Sequence, residues 1–215
     1  MSGAAVALTG FRHSVYTRVA RIALAEKRVD HDYEEHDPFA PGARGSHPFG
    51  RVPVLRHGDF TIYETAAITD YIDRAFDGPA LMPRDSKAAA RVAQVIGIVD
   101  AYGYWPLVRQ VYSHAVYRPV LGEPVAPEII AEGLEAAPGV LGALDALAAE
   151  GLVLNGGFTR ADCHLAPMIA AFASAPQGAA MLGDFPRLAA WWAMVRTRPS
   201  VVETDVPLSP ESPRG

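Results

Sequence analysis

The feature that most constrains the fold is a change of pattern near residue 77. Before it, short apolar strand-like runs alternate with segments of helical spacing, whereas from about Ser86 onward nearly every segment favours a helix. Asp77-Gly78-Pro79 lies between the two patterns and would end a helix. A chain of 215 residues is long enough for two small domains with apolar cores. We therefore predict a first domain over residues 1–77 and a second over residues 87–206.

The first part is predicted to run β-α-β-loop-β-β-α, which is typical of a small mixed sheet covered by helices. The predicted segments are a strand at 5–8, a helix at 14–27, a strand at 28–33 with Val29 and Tyr33 inward, a loop at 38–49, two strands joined at Gly58-Asp59, and a helix at 65–76. On this last helix, the spacing places Ile68 and Ile72 in the core.

The second part is predicted to be all helical. Its predicted helices cover residues 87–117, 128–149, 160–172 and 186–196, with one brief strand at 152–154 and a disordered tail at 207–215. One helix start is well marked, because Thr159 followed by Asp162 fits a capping box, with Phe158 and Cys163 as its apolar staple.

Composition excludes several classes of protein. The net charge is −5 and the basic residues are scattered, which argues against a nucleic-acid partner. The single cysteine, Cys163, cannot form an internal disulfide, a redox pair or a cysteine-based zinc site, so we predict a reducing cytoplasm and no metal. Residues 1–8 lack the features of a signal peptide, and no run approaches the roughly 20 apolar residues of a membrane span.

Two adjoining motifs indicate a ligand site. Pro53 opens the first strand of the hairpin, in Gly50-Arg51-Val52-Pro53-Val54-Leu55, and an X–Pro bond is the common place for a cis peptide. Glu64-Thr65 stands where the second strand gives way to a helix, whose free N–H groups and positive dipole end favour an anion. Together the motifs could hold an extended peptide-like ligand and its carboxylate.

These motifs, with Gly10-Phe11-Arg12-His13-Ser14 before the first helix and the capping box, resemble those of cytosolic glutathione transferases of the serine-dependent, bacterial-like type. The resemblance covers roughly residues 5–200. It implies a thioredoxin-like α/β N-terminal domain, an all-α C-terminal domain, and a cytoplasmic homodimeric enzyme with glutathione as co-substrate. The implied reaction is attack of the glutathione thiolate on a small hydrophobic electrophile.

The resemblance also implies which residues contact glutathione. The Val52 backbone would bond the cysteinyl backbone, Glu64 and Thr65 would bind the γ-glutamyl group, and Arg51 would add a forked donor. For the glycyl carboxylate three residues of the preceding loop remain open: His36, Arg44 and His47.

Thiol activation is assigned by the same resemblance to Ser14, at the start of the first helix. The alternative is that Ser14 only caps this helix. Tyr16 is the competing donor, although a tyrosine inside the helix fits better as a residue facing the second domain. Phe11 and His13 precede Ser14 and are predicted substrate contacts. His13 could instead be a base, or simply a solvated loop histidine.

The electrophile is expected at an aromatic segment of the second domain. Spacing of three and four places Trp105, Val108, Arg109 and Tyr112 on one helix face, and the resemblance implies that this helix lines the second pocket. A helix core or a dimer face is the alternative for each of these residues. Two other functions remain open: glutathione-dependent isomerisation or dehalogenation at the same site, and a non-catalytic binding module.

Overall fold

The computed structural model describes residues 4–210, and its first half is one four-stranded mixed sheet with two helices. The strand order is β2-β1-β3-β4, with β1 parallel to β2 and antiparallel to β3, and β3 antiparallel to β4. The elements are β1 (Val6–Gly10), α1 (Val15–Glu26), β2 (Asp32–Glu35), β3 (Val54–His57), β4 (Phe60–Tyr63) and α2 (Thr65–Ala75). The predicted order is confirmed. The described range leaves out residues 1–3 and residues 211–215, which belong to the predicted tail.

The core of this half follows from the apolar spacing of its elements. Leu8 of β1 and Leu55 of β3 are cross-strand partners, and both are fully buried. Ile68 and Ile72 of α2 are also fully buried, as their spacing predicts, and α2 packs against α1. Burying one such side chain contributes about 1.5–3 kcal/mol.

Two predicted strands differ from the structure. The strand expected at 28–33 begins at Asp32, because Arg28 has a left-handed φ of 55° and the chain turns there to run parallel to β1. Tyr33, predicted to point inward, is 37% exposed on this edge strand. No strand forms at 152–154: Val153 and Leu154 are buried, but the chain bends between Gly151 (φ 74°) and Leu154 (φ 55°).

The second half is helical, and the predicted helices are found within about two residues of their expected ends. The elements are α3 (Ser86–Ile98), a π-helix (Val99–Tyr117), α4 (Arg118–Leu121), α5 (Pro127–Ala149), α6 (Arg160–Ser174), α7 (Pro176–Leu182), α8 (Pro186–Val195) and α9 (Pro199–Glu203). Among these, α5, α7, α8 and α9 begin at a proline, whose fixed φ suits the first helical position. The short helices α7 and α9 were not predicted.

The π-helix is the main difference from the predicted secondary structure of the second half, because the sequence predicted one uninterrupted helix over 87–117. At its end the Arg118 N–H donates to the Ser113 carbonyl, five residues back. Pro106 lies inside this helix and has no N–H to donate. Residues five apart are brought together, as in Tyr112 and Tyr117, whose ring centroids are 6.1 Å apart.

The start of α6 joins the two halves. Arg160 is 6% exposed, and its guanidinium contacts the Asp70 carboxylate at 2.5 Å and the Ala66 carbonyl at 2.7 Å, both on α2. The predicted capping box is present, since Asp162 accepts the Thr159 backbone N–H at 2.7 Å. This arrangement fixes the helical half against the N-terminal end of α2, where the cavity described below opens.

Candidate active site

A cavity of about 700 Å³ lies between the sheet half and the helical half. The segment after β1, the chain before β3, the start of α2 and the π-helix line it. A cleft of this size at such a junction is the usual form of a small-molecule site. All nine predicted site residues are on its wall: Phe11, His13, Ser14, Arg51, Val52, Glu64, Thr65, Trp105 and Arg109.

Ser14 is the N-cap of α1, with extended backbone angles (φ −74°, ψ 123°). Its Oγ accepts the Thr17 N–H at 3.2 Å, which satisfies one of the unpaired donors at the helix start. Accepting uses a lone pair, so the hydroxyl hydrogen remains available. Within residues 4–210 that hydrogen has no acceptor. Capping and donation to a ligand are therefore compatible at Ser14.

The chain before β3 and the start of α2 present polar backbone to the same cavity. The Val52–Pro53 peptide bond is cis, as predicted, and Arg51 is exposed beside it. Glu64 has a φ of 68°, a conformation that non-glycine residues adopt rarely and that is found at ligand-binding turns. Thr65 is the first residue of α2 and is 8% exposed, so its helix end offers unpaired N–H groups to an anion.

His47 is one of the three loop residues left open by the sequence, and its ring lies on the cavity wall. Within the described chain, the cavity lining does not include His36 or Arg44. The His47 Nδ1 accepts the Phe49 N–H at 3.1 Å, so the neutral ring carries its hydrogen on Nε2, which lies 3.6 Å from the Glu64 carboxylate. Burial lowers the pKa of His47, which favours this neutral form.

His13 is not the solvated loop histidine that the sequence left open as an alternative. Its ring is half-buried, with centroid distances of 5.6 Å to Phe11 and 6.3 Å to Tyr117 of the π-helix. Its Nε2 is buried and has no hydrogen-bond partner among residues 4–210. Burial lowers the pKa of His13. The sequence could not reveal this, because the burying ring comes from the other half of the chain.

Tyr16 faces the helical half, as its position inside α1 suggests. Its ring centroid is 5.0 Å from that of Tyr104 on the π-helix. Burial and the nearby Asp100 carboxylate raise the pKa of Tyr16 well above its usual value, so the phenol stays protonated.

Asp100 and the polar contacts behind it were not predicted from the sequence. Asp100 lies in the first turn of the π-helix and lines the cavity. The fully buried His164 of α6 places Nδ1 3.8 Å from the Asp100 carboxylate and Nε2 3.1 Å from the Thr69 hydroxyl. The available signal was an acidic residue within an apolar helical run.

The π-helix supplies the more apolar part of the wall. Trp105, Val108, Arg109 and Tyr112 all face the cavity, and Trp105 is 62% exposed at its edge. Within residues 4–210, no helix is both long and apolar enough to cross a membrane. The same residues contain no cluster of three or more His, Cys, Asp or Glu side chains that could hold a metal ion.

Comparison with known proteins agrees with this architecture. A family model described as the glutathione S-transferase N-terminal domain matches residues 8–80, and one described as the C-terminal domain matches residues 108–199. Glutathione S-transferase 1 of Triticum aestivum is 30% identical over 209 residues, which cover 89% of this chain and 90% of the relative.

Solved structures show the same architecture over 94% of the chain. Glutathione S-transferase I from mais, in complex with an atrazine glutathione conjugate, has a TM-score of 0.79 at 26% identity, covering 94% of this chain and 96% of that chain. The theta class enzyme of Xanthomonas axonopodis pv. citri, with glutathione bound, has a TM-score of 0.78 at 25% identity, covering 94% and 97%. The predicted fold class, a thioredoxin-like α/β N-terminal part followed by an all-α part, is confirmed.

Segments of both halves of the chain thus match one family, and the match to a curated relative extends over nine-tenths of that relative. Glutathione is the co-substrate that this family shares, and the predicted glutathione transferase activity is confirmed by membership of the family. The chain belongs to the glutathione S-transferase family and is an enzyme that conjugates glutathione to electrophiles.

Proposed function

We propose that Ser14 activates the glutathione thiol by donating its hydroxyl hydrogen to the sulfur. A free thiol is mostly protonated at neutral pH, and a hydrogen-bond donor beside a positive helix end lowers its pKa. The observation that supports Ser14 is its free hydroxyl hydrogen at the N-terminus of α1, on the cavity wall. Tyr16 is a weaker candidate, because its phenol is turned toward Asp100.

The peptide part of glutathione is proposed to lie along the hairpin. Val52 would bond the cysteinyl backbone, while Glu64 and the start of α2 at Thr65 would hold the γ-glutamyl amine and carboxylate. Arg51 would add a charged donor beside them. We assign His47 to the γ-glutamyl end as a positioning residue for Glu64, since its Nε2 faces that carboxylate.

The electrophile is proposed to bind against the π-helix at Trp105 and Arg109, with Phe11 and His13 opposite. We further propose the two domains 1–77 and 87–206, a cytoplasmic location on the strength of the single cysteine, and a homodimer. The support for the dimer is an exposed aromatic surface beside the site, where Phe49 is 72% and Tyr63 39% exposed. Sedimentation velocity measures the oligomeric state directly.

Replacing Ser14 by alanine tests the assignment. We expect Ser14→Ala to keep glutathione affinity within about twofold, to raise the pKa of the bound thiol, and to slow conjugation at neutral pH by about 10- to 100-fold, the effect of losing a donor to a charged partner. The measurement is the ultraviolet absorbance of the glutathione thiolate against pH, together with turnover.

Two controls separate the alternatives. Tyr16→Phe should leave the thiolate titration unchanged, and a shift in this variant with none in Ser14→Ala would show that Tyr16 is the donor. Asp85→Ala removes the N-cap of α3, whose carboxylate accepts the Ala88 N–H at 2.9 Å, and reports the effect of losing a cap away from the cavity. If no variant or wild-type complex forms a thiolate, the chain binds glutathione without activating it.

A further inference from the structure

Two arginines on the cavity wall, Arg51 of the sheet half and Arg109 of the helical half, have no charged partner within residues 4–210. Arg109 is half-buried on the wall of the π-helix, and within residues 4–210 it makes no ion pair and no side-chain hydrogen bond. Its neighbour on the wall, Arg118, is different: it pairs with Glu123 at 3.8 Å and donates to the Pro124 carbonyl at 3.2 Å. The Arg109 guanidinium therefore remains available to a ligand.

The surroundings of Arg109 raise the cost of leaving that charge unpaired. Trp105, Val108 and Tyr112 line the cavity on the same helix. At the end of that helix, the ring of Tyr117 lies near the ring of Tyr112. Burial raises the pKa of Tyr117 to about 12, and the Arg109 charge opposes this rise, so the guanidinium lies close to that phenol. A cation among aromatic and aliphatic side chains gains most from an anion that it can bind through two parallel hydrogen bonds.

The γ-glutamyl carboxylate of glutathione does not supply an anion for Arg109 in the proposed binding mode. In the proposed mode its γ-glutamyl carboxylate lies at Thr65 and its backbone along Val52, both on the sheet half, whereas Arg109 belongs to the helical half on the electrophile side. The charges on the sheet half are of both signs, with Arg51 near Glu64. The unpaired charge of Arg109 is thus on the wall that is proposed to face the second substrate.

We propose that the enzyme prefers electrophiles that carry a carboxylate, or an anion of similar planar shape, on an apolar ring, and that Arg109 binds this group. The inference rests on the proposed assignment of the π-helix wall to the electrophile. The ring would lie against Trp105 and Tyr112, and the anion would direct the reacting carbon toward the glutathione sulfur near Ser14. Arg109 is then a specificity-determining residue of the established reaction.

A matched pair of aryl chlorides tests this preference. The first is a chlorodinitrobenzoate with its carboxylate para to the chlorine, and the second is the corresponding neutral carboxamide. In both reactions the thiolate sulfur forms a C–S bond, chloride leaves with the C–Cl electron pair, and the thiol proton passes to solvent. The two probes differ in charge but hardly in shape.

We expect Arg109→Gln to lower kcat/KM for the benzoate by about 10- to 100-fold, mainly through KM, and to change the carboxamide reaction less than about twofold. Arg109→Lys should recover part of the loss, since it restores charge but not the planar fork. Arg187→Gln, at an exposed position on α8, is the matched control and should leave both reactions unchanged. Equal losses on both probes, or no loss on the benzoate, would overturn the proposal.

Calorimetry with the unreactive product conjugates of the two probes repeats the test without chemistry, and the Arg109 variants should discriminate between them less than the wild type does. Glutathione alone is titrated into the same variants. A loss of glutathione affinity in Arg109→Gln would assign Arg109 to the glycyl carboxylate and refute the anionic-electrophile inference. Failure of the wild type itself to bind glutathione would instead refute the proposed binding mode of the cavity.

Discussion

Glu64 is the residue that links the turn proposed to bind glutathione to the rest of the cavity wall. Its left-handed φ of 68° turns the chain from β4 into α2, and its carbonyl accepts the Ile68 N–H at 2.9 Å. Its carboxylate is exposed toward the cavity but faces the His47 ring, which burial keeps neutral. A strained turn of this kind is stable only because α2 and the loop hold it from both sides.

Substituting this carboxylate should weaken glutathione binding. Glu64→Gln keeps the shape but removes the charge that would pair with the γ-glutamyl amine, and we expect a loss of about 1–3 kcal/mol in binding free energy. Calorimetric titration with glutathione measures it. Glu135→Gln, at an exposed glutamate of α5, is the matched control. Unchanged affinity in a folded Glu64→Gln protein would remove Glu64 from the proposed site.

Among the elements, α6 packs against helices of both halves, including α1 and the π-helix. Its capping carboxylate, Asp162, is 1% exposed and accepts hydrogen bonds from the Thr159 N–H and hydroxyl, each at 2.7 Å, and from the Trp191 indole N–H of α8 at 2.7 Å. One buried carboxylate thus satisfies three donors from two helices. The role of Asp162 extends beyond capping to the docking of α8.

Truncating Asp162 should therefore be more harmful than the loss of an ordinary cap. Asp162→Ala leaves three buried donors unpaired, and we expect the free energy of unfolding to fall by about 2–4 kcal/mol. Asp162→Asn, which keeps one carbonyl acceptor, should lose less. Urea denaturation of both variants and of Trp191→Phe, in a double-mutant cycle, separates the contribution of Trp191. Conjugation activity in the folded protein should survive; its selective loss would make Asp162 a site residue.

For the whole molecule, the buried histidines determine how stability depends on pH. Burial lowers the pKa of His13, His47, His114 and His164 from their ordinary value of 6.5. Between 6.5 and these lower values the unfolded chain binds more protons than the folded chain does. Stability therefore falls as the pH falls through this window, and it is fully retained above 6.5.

His164 offers the sharpest test because it is fully buried between α2 and the π-helix. We expect the wild-type unfolding free energy to decline as the pH is lowered below about 6.5, with a slope of up to about 1.4 kcal/mol per pH unit for each titrating group. His164→Gln keeps a polar group at this position but cannot titrate, so its slope should be smaller. Parallel curves for the two proteins would contradict the assignment of His164 to this effect.

The local signals in the sequence were sufficient for the architecture. The apolar spacing predicted the strand and helix order of the first half and the helical character of the second. The Thr159–Asp162 spacing predicted the capping box, and the hairpin with Glu64-Thr65 predicted which segments line the cavity. Such features depend on residues within a few positions of one another, so periodicity, turn residues and caps are enough to reveal them.

Tertiary structure decided what the local signals could not. The burial of His13 depends on Tyr117, the contact of His164 with Thr69 joins residues 95 positions apart, and the missing partner of Arg109 is known only once every neighbour is placed. Tyr33 was predicted wrongly for the same reason, since the exposure of an edge strand depends on what covers it. The sequence by itself determined the fold and the family motifs, whereas burial, pairing and charge balance in the cavity were decided by contacts between distant parts of the chain.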